Sequence, residues 1–199
     1  HLLQGRRDNF FNYAVIKNAN KGIQIDSMGY SENPMLTIHN SRIENMSLNC
    51  IDARTTKIVA SNCIFANSGS YSLALLFGGD YLFNHCTVAN YYFLGTRREP
   101  ALIMNNYFEY NNTTYNFDFK AVFGNCIVYG NNFNEVSTDP GGSGTFSYLF
   151  KNCLLNTKDA TGAGFVNTSF NKDPLFADIA KSNNSLSTLS PAKNAGDTD

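Results

Sequence analysis

Apolar and polar side chains alternate along this chain in short runs, and the runs themselves recur. The segment Ile58-Val59-Ala60-Ser61-Asn62-Cys63-Ile64-Phe65 is written again as Tyr81-Leu82-Phe83-Asn84-His85-Cys86-Thr87-Val88. It returns at positions 121–128 and 148–155, with looser copies at 36–43 and 101–108 and a first copy from Phe11 to Ile16. The residue before the cysteine place serves as an anchor: Tyr13, Asn40, Asn62, His85, Asn105, Asn125 and Asn152, spaced by 20 to 27 residues. Residues two before it (Phe11, Ile38, Ala60, Phe83, Ile103, Phe123, Phe150) and three after it (Ile16, Ile43, Phe65, Val88, Phe108, Val128, Leu155) are apolar. Period-two alternation on both sides predicts two short strands that turn these residues toward a common core.

The anchor is then a corner. Asn tolerates the left-handed backbone that a tight bend between strands requires, and its amide can hydrogen-bond the corner stacked above. The next residue is Ala14, Ser41, Cys63, Cys86, Asn106, Cys126 or Cys153, an inward slot where cysteine acts as a small hydrophobe. A second line of amides falls five residues after the anchor, at Asn18, Asn45, Asn67 and Asn90. Together these lines predict an all-β chain folded as a right-handed parallel β-helix, a solenoid of about seven coils with about three strands each. A β-sandwich would not repeat its corners with the same neighbours, and a leucine-rich repeat needs a frame that is missing here.

Residues 1–166 are expected to form the coils, and 167–199 a non-repeating segment packed on the rod. His1 to Asn9 run into the first strand without a cap. Upstream coils of the same precursor, or another chain, are therefore expected at that edge. Outward positions carry apolar stripes, Thr37, Val59, Leu82, Leu102, Val122 and Leu149 on one line and Val15, Ile64, Tyr107, Ile127 and Leu154 on another. Stripes of that size need a cover. The closing segment is expected to supply it through Leu175, Phe176, Leu186 and Leu189.

Composition narrows the function classes. Fifteen Lys and Arg against sixteen Asp and Glu give a net charge of −1, and charged residues are only 16%. Such a chain lacks the basic footprint of a nucleic-acid binder, and no apolar run approaches a membrane span. The 28 Asn resolve in good part into the corner ladders. Five cysteines without a CxxC pair offer no metal site. Cys63 and Cys86, like Cys126 and Cys153, sit on adjacent coils at disulfide range, but parallel inward side chains favour free buried thiols.

After the last repeat, Asp173-Pro174-Leu175-Phe176 is followed by Ser190-Pro191-Ala192-Lys193-Asn194-Ala195-Gly196. This pair of segments resembles the closing stretch of secreted bacterial right-handed β-helix repeat proteins of the pectate-lyase-like superfamily, of the Bacteroidetes type. The run from Phe11 to Ile25 is similar to a mid-protein coil of that group. The resemblance implies a longer precursor with an export signal or lipoprotein anchor. It also implies a periplasmic, outer-membrane-surface or extracellular location and a carbohydrate-rich setting. Two functions follow as expectations. One is a non-catalytic surface for polysaccharide or cell-surface glycan, with Tyr71, Tyr91 and Tyr92, and also Tyr30, Tyr110 and Tyr115, able to stack on sugars or to pack loops. The other is a polysaccharide lyase or glycoside hydrolase, with Asp26, Asp52, Arg54, Arg97 and Arg98 as candidate catalytic groups. No cofactor is expected for the first; Ca²⁺ enters only with the second. The loop Ser137 to Gly144 is expected to be a flexible insertion between the sixth and seventh coils, and its run Gly141-Gly142-Ser143-Gly144 lacks the lysine and helix of a phosphate cradle.

Overall fold

The computed structural model describes residues 1–2, 8–26, 32–158 and 161–197. Its strands wind into a parallel β-helix with three faces. The first face stacks Asn9–Asn12, Leu36–His39, residues 56–61 and 79–84 of two long strands, Phe119–Gly124, Phe146–Lys151 and Phe165–Val166. The second stacks Val15–Lys17, Arg42–Met46, Ile64–Ser68, Thr87–Asn90, Ile127–Gly130, Leu154–Leu155 and Ser169–Phe170. The third stacks Ile23–Ile25, residues 51–54 and 73–76, Leu102–Asn105 and Val136–Asp139. Every pairing between these coils is parallel. Among the described residues no helix is long and apolar enough to cross a membrane.

Register places like on like. Phe11, Ile38, Ala60, Phe83, Phe123, Phe150 and Phe165 form one inward column, and Ile16, Ile43, Phe65, Val88, Val128, Leu155 and Phe170 another. The rings of Phe83, Phe123, Phe150 and Phe165 stack at 5.1, 4.6 and 5.6 Å, offset-stacking range for aromatic pairs. Burying such a column supplies the main driving force that ties coil to coil.

Seven corners join the first face to the second: Tyr13, Asn40, Asn62, His85, Asn125, Asn152 and Asn167, all at φ between 48° and 55°. The amides climb the corner as expected, Asn62 donating to Asn40 at 2.7 Å and Asn40 to Asn12 at 2.9 Å. Asn105 is not among them. Its strand Leu102–Asn105 pairs with 73–75 on the third face, and Phe119–Gly124 pairs directly with 79–84. Ile103 therefore faces outward, and Phe108 and Asn106 leave the core column and the cysteine slot. The seventh corner is Asn167, so strand pairing continues past position 166 to Phe170. In the second line Asn18, Asn45 and Asn67 are left-handed and laddered, whereas Asn90 accepts from the Ser68 amide and donates to the Ser70 carbonyl.

All five cysteines are free and buried. The slot after the corner is more than a space for a small side chain. Ser41, Cys63, Cys86, Cys126, Cys153 and Thr168 each donate to the carbonyl two residues back, at 2.6 to 3.3 Å. Each of these carbonyls also accepts the corner amide of the neighbouring coil, so the side chain adds a second, local bond at the bend. Ser, Cys and Thr can all make that bond, which fits their alternation along one line. Burial pushes the fifth thiol, Cys50, up to about 12.

The closing segment crosses the second face. Phe176 packs on Ala66, Ala89, Ile127 and Leu154, Arg42 donates to Asn184 at 3.0 Å, and the Asp197 amide donates to Asn125 at 2.7 Å. Of the four anchors expected, only Phe176 is buried; Leu175 and Leu186 are partly exposed, and Leu189 is 83% exposed. The cover is polar at its ends because it must meet amide corners there. On the first face the column Phe10, Thr37, Val59, Leu82, Val122 and Leu149 keeps its outer side uncovered or half-covered. Glu44 stands opposite Lys17 in register, yet its ion pair is with Arg42 at 2.6 Å.

Replacing Asn62 by Ala should cost about 1–2 kcal/mol, from the left-handed backbone and one lost ladder bond, while Asn62→Gly should cost less than half of that. Urea denaturation of the three proteins checks this. With a thiol reagent such as dithionitrobenzoate, the folded protein should react slowly at all five cysteines and release the full complement in denaturant; a missing pair would reveal a disulfide between coils.

Candidate functional site

The third face and the two corners that border it hold every candidate catalytic residue and four of the exposed aromatic side chains, Phe93, Tyr110, Tyr115 and Phe133. Its strands point Gln24, Asp52, Ala74, Ile103 and Ser137 outward in one register column. Arg54 and Leu76 form a second column that Asn105 and Asp139 continue. Beyond these strands the chain takes its third corner. One residue, Thr55, suffices in one coil and Phe77-Gly78 in the next, each left-handed. In the following coil the corner is expanded into an antiparallel hairpin, Tyr107–Tyr110 with Thr113–Asn116. Asn105 tethers it, accepting from the Phe77 amide at 2.8 Å and donating to the Tyr107 carbonyl at 3.2 Å. A Cβ at Gly78 would lie 2.5 Å from that of Phe117, so the glycine lets the hairpin base close on the rod.

The hairpin carries an aromatic wall. Phe108 stacks on Tyr115 at 4.9 Å and on Phe117 at 5.9 Å, and meets Phe77 at 5.1 Å. The Arg54 guanidinium lies 5.9 Å from the Phe77 ring centroid, within cation–π range. Tyr110 and Tyr115 remain exposed.

Asp26, Asp52 and Arg54 come together as the sequence suggested, but as partners of one another. Arg54 reaches Asp26 at 3.5 Å and Asp52 at 3.4 Å. Lys21 also pairs with Asp52, and His1 lies 2.5 Å from the other oxygen of Asp26. Asp52 is only 2% exposed. With Lys21 and Arg54 against its oxygens and almost no exposed surface, Asp52 is out of reach of a substrate proton.

Arg97 is elsewhere. Residues 91–97 form a loop rather than a third-face strand, because about six more residues separate Asn90 from Leu102 than separate Asn67 from Leu73. Its guanidinium is buried against Glu135, with contacts of 2.5 and 2.8 Å, and donates to the Asn90 carbonyl and Asn131 at 2.9 Å each. Glu135 also accepts from the Asn132 and Ala101 amides at 2.8 Å. This bidentate pair clamps the loops of two adjacent coils together. Arg98, next in sequence, points to solvent. The run 141–144 is tethered rather than a free insertion: the Gly141 amide donates to Asn106, and Ser137 and Asp139 belong to a third-face strand.

The clamped loops present Phe93, Leu94 and Phe133, which are 69%, 72% and 81% exposed. Nothing in their alternation marked them, since they fall in loops outside the repeat. Tyr71 borders the same corner and donates to Glu99 at 2.9 Å; burial, with Glu99 beside it, pushes the phenol up to about 12, so it stays a donor at neutral pH. Tyr107 donates to Asp139 at 3.0 Å on the hairpin side. Tyr91 packs edge-on against Phe176 beneath the closing segment, and Tyr92 lies against Gly69. Tyr30 lies outside the described residues.

The donor set does not fit Ca²⁺. Asp26 and Asp52 are bound to cations, and among the described residues no three His, Cys, Asp or Glu converge. What the face offers is a mixed floor, half-exposed at Arg54, Leu76, Ile103, Asn105 and Ser137 and closed at Asp52 and Ala74, with aromatic side chains at two borders.

Removing one partner of the buried pair, in Arg97→Ala or Glu135→Gln, should destabilise the protein by about 3–5 kcal/mol. Arg54→Ala, half-exposed, should cost no more than about 1 kcal/mol. Thermal and urea unfolding of the variants separates the structural arginine from the surface one.

No protein-family model matches the chain, and no curated protein or solved structure is significantly similar to it.

Proposed function

We propose that this is an exported β-helix whose third face binds a neutral polysaccharide or cell-surface glycan without chemical conversion. The observation that carries the reading is the display of exposed aromatic rings on both borders of a floor that mixes apolar Leu76 and Ile103 with polar Asn105 and Ser137. Sugar rings present C–H faces and a rim of hydroxyls. Phe93 and Phe133 on one border, and Tyr110 and Tyr115 on the other, offer planar surfaces for the faces. Asn105 and Ser137 on the floor between them, and the Tyr71 hydroxyl beside it, offer partners for the rims. The Arg97–Glu135 clamp and the Asn105 tether hold these borders in place, which lowers the ordering cost of binding. The export half of the proposal is supported by the resemblance of the closing segment alone.

The charge balance favours a neutral polymer. Asp26, Asp52, Glu99 and Asp139 stand on or beside the third face against Lys21, Arg54 and Arg98, four carboxylates to three cations. A polyuronate would find few cations there not already engaged. β-Elimination would also need a cation free to neutralise the substrate carboxylate and a base free to take the proton. Lys21 and Arg54 are already paired.

Affinity electrophoresis through soluble xylan, β-glucan, galactomannan and polygalacturonate tests this. At least one neutral polymer should retard the protein, polygalacturonate should not, and Phe93→Ala with Tyr115→Ala should weaken retention at least tenfold. Retention by polygalacturonate, with unsaturated product absorbance that Arg54→Ala abolishes, would replace this reading with a lyase. No retention by any neutral polymer would remove it.

A further inference from the structure

Beneath the closing segment, at the corner shared by the first and second faces, lies a cavity of about 310 Å³. The third face does not touch it. Its floor is the corner ladder itself: Asn62, His85, Asn125, Asn152 and Asn167, one from each of five successive coils. Thr87 and Ser169 add hydroxyls beside them, and Pro191, Ala192 and Ala195 form an apolar roof.

The ladder is interrupted where the cavity lies. Below it, Asn62 donates to Asn40 and Asn40 to Asn12. At the fourth rung His85 stands in place of an amide, and Asn125 donates at 3.3 Å to both Asn84 and the His85 Nε2. The Asn62 amide oxygen, which the repeating pattern would engage from the next rung, has no partner among the described residues. The Asn167 amide, at the other end of the floor, has none either. Amide groups that face solvent and lack a protein partner among the described residues thus stand at both ends of a row spaced by one coil each.

The roof is held over this row from both sides. Asp197 ties it to the rungs through the Asn125 amide oxygen at 2.7 Å and through Lys151 at 2.9 Å. Phe176, Asn184 and Ser182 tie the other end to the second face. A strap pinned at its ends and arched between them leaves a partly roofed space, open to solvent at Asn62, His85 and Asn167.

We infer that this space is a second binding site, for a small neutral polyhydroxylated molecule the size of one monosaccharide. The volume lies at the lower limit of small-molecule pockets, about 300 Å³, which suits a single ring. No Lys, Arg, Asp or Glu lines it, so nothing there compensates a charged ligand. Hydroxyls donate and accept in turn and match amide oxygens and nitrogens, while the C–H face of a ring meets Pro191 and the two alanines. The site is independent of the third-face reading.

Two-dimensional NMR of the full chain, titrated with glucose, galactose, mannose and, as a charged control, glucuronate, tests it. Saturable shifts are expected in the Asn62 and Asn167 side-chain amides and the His85 ring with at least one neutral sugar, and none with glucuronate. Ala195→Leu places a larger side chain at the roof, where the residue is exposed on its outer side. It should weaken that sugar at least tenfold, leave the melting temperature nearly unchanged and leave polysaccharide retention at the third face intact. If Ala195→Leu loses stability, Ser169→Val provides the same test from the floor. Absence of shifts with all three neutral sugars, or shifts confined to the third face, would overturn the inference.

Discussion

Each coil must turn from the first face to the second within two residues, and the residue at the bend must accept a φ near +50°. The rest of the fold depends on that constraint. A bend of this kind costs most side chains about 1–2 kcal/mol, and Asn is the side chain that both tolerates it and recovers energy from the corner stacked above. Once corners stack, the strands on either side are forced into register, and register puts phenylalanine on phenylalanine through the core. The Ser, Cys and Thr line adds a local bond at each bend, to a carbonyl that the neighbouring corner amide already engages, and polar Ser41 and Thr168 share that role with four thiols.

Regular coils leave the third corner free to vary. There the chain bends with a single threonine, with Phe77-Gly78, or with an entire hairpin, without disturbing the first two faces. The exposed aromatics and charged side chains gather around this variable corner and the loops that precede the third face. Two kinds of charge pairing separate there. Arg97 and Glu135 are enclosed and serve as a clamp between loops. Asp26, Asp52 and Arg54 neutralise one another at the surface and leave hydrogen bonding and ring stacking as the chemistry available to a ligand.

The closing segment has a different logic. Its single buried aromatic sits over the second face, and its polar ends bond to corner amides, so it arches instead of lying flat. The cavity beneath it arises where two surfaces of different chemistry, an amide row and a Pro-Ala stretch, meet incompletely.

Local pattern was enough to establish the parallel solenoid, its core columns, its cysteine line and six of its seven corners, because backbone chirality and side-chain alternation act within a few residues. It could not tell Asn105 from a corner. A third-face strand that ends in asparagine looks the same in sequence, and only its pairing with residues 73–75, instead of 79–84, reveals its place. The same limit explains Arg97. Its charge was visible, but the glutamate that buries it lies 38 residues away, on a loop brought alongside by coil stacking. Asn167 was missed for the opposite reason, since its strands are only two residues long and carry too little alternation to read. The identity of strand neighbours, and with it the assembly of floor, borders and cavity, was decided by tertiary structure, because contacts between coils join residues that no local preference connects.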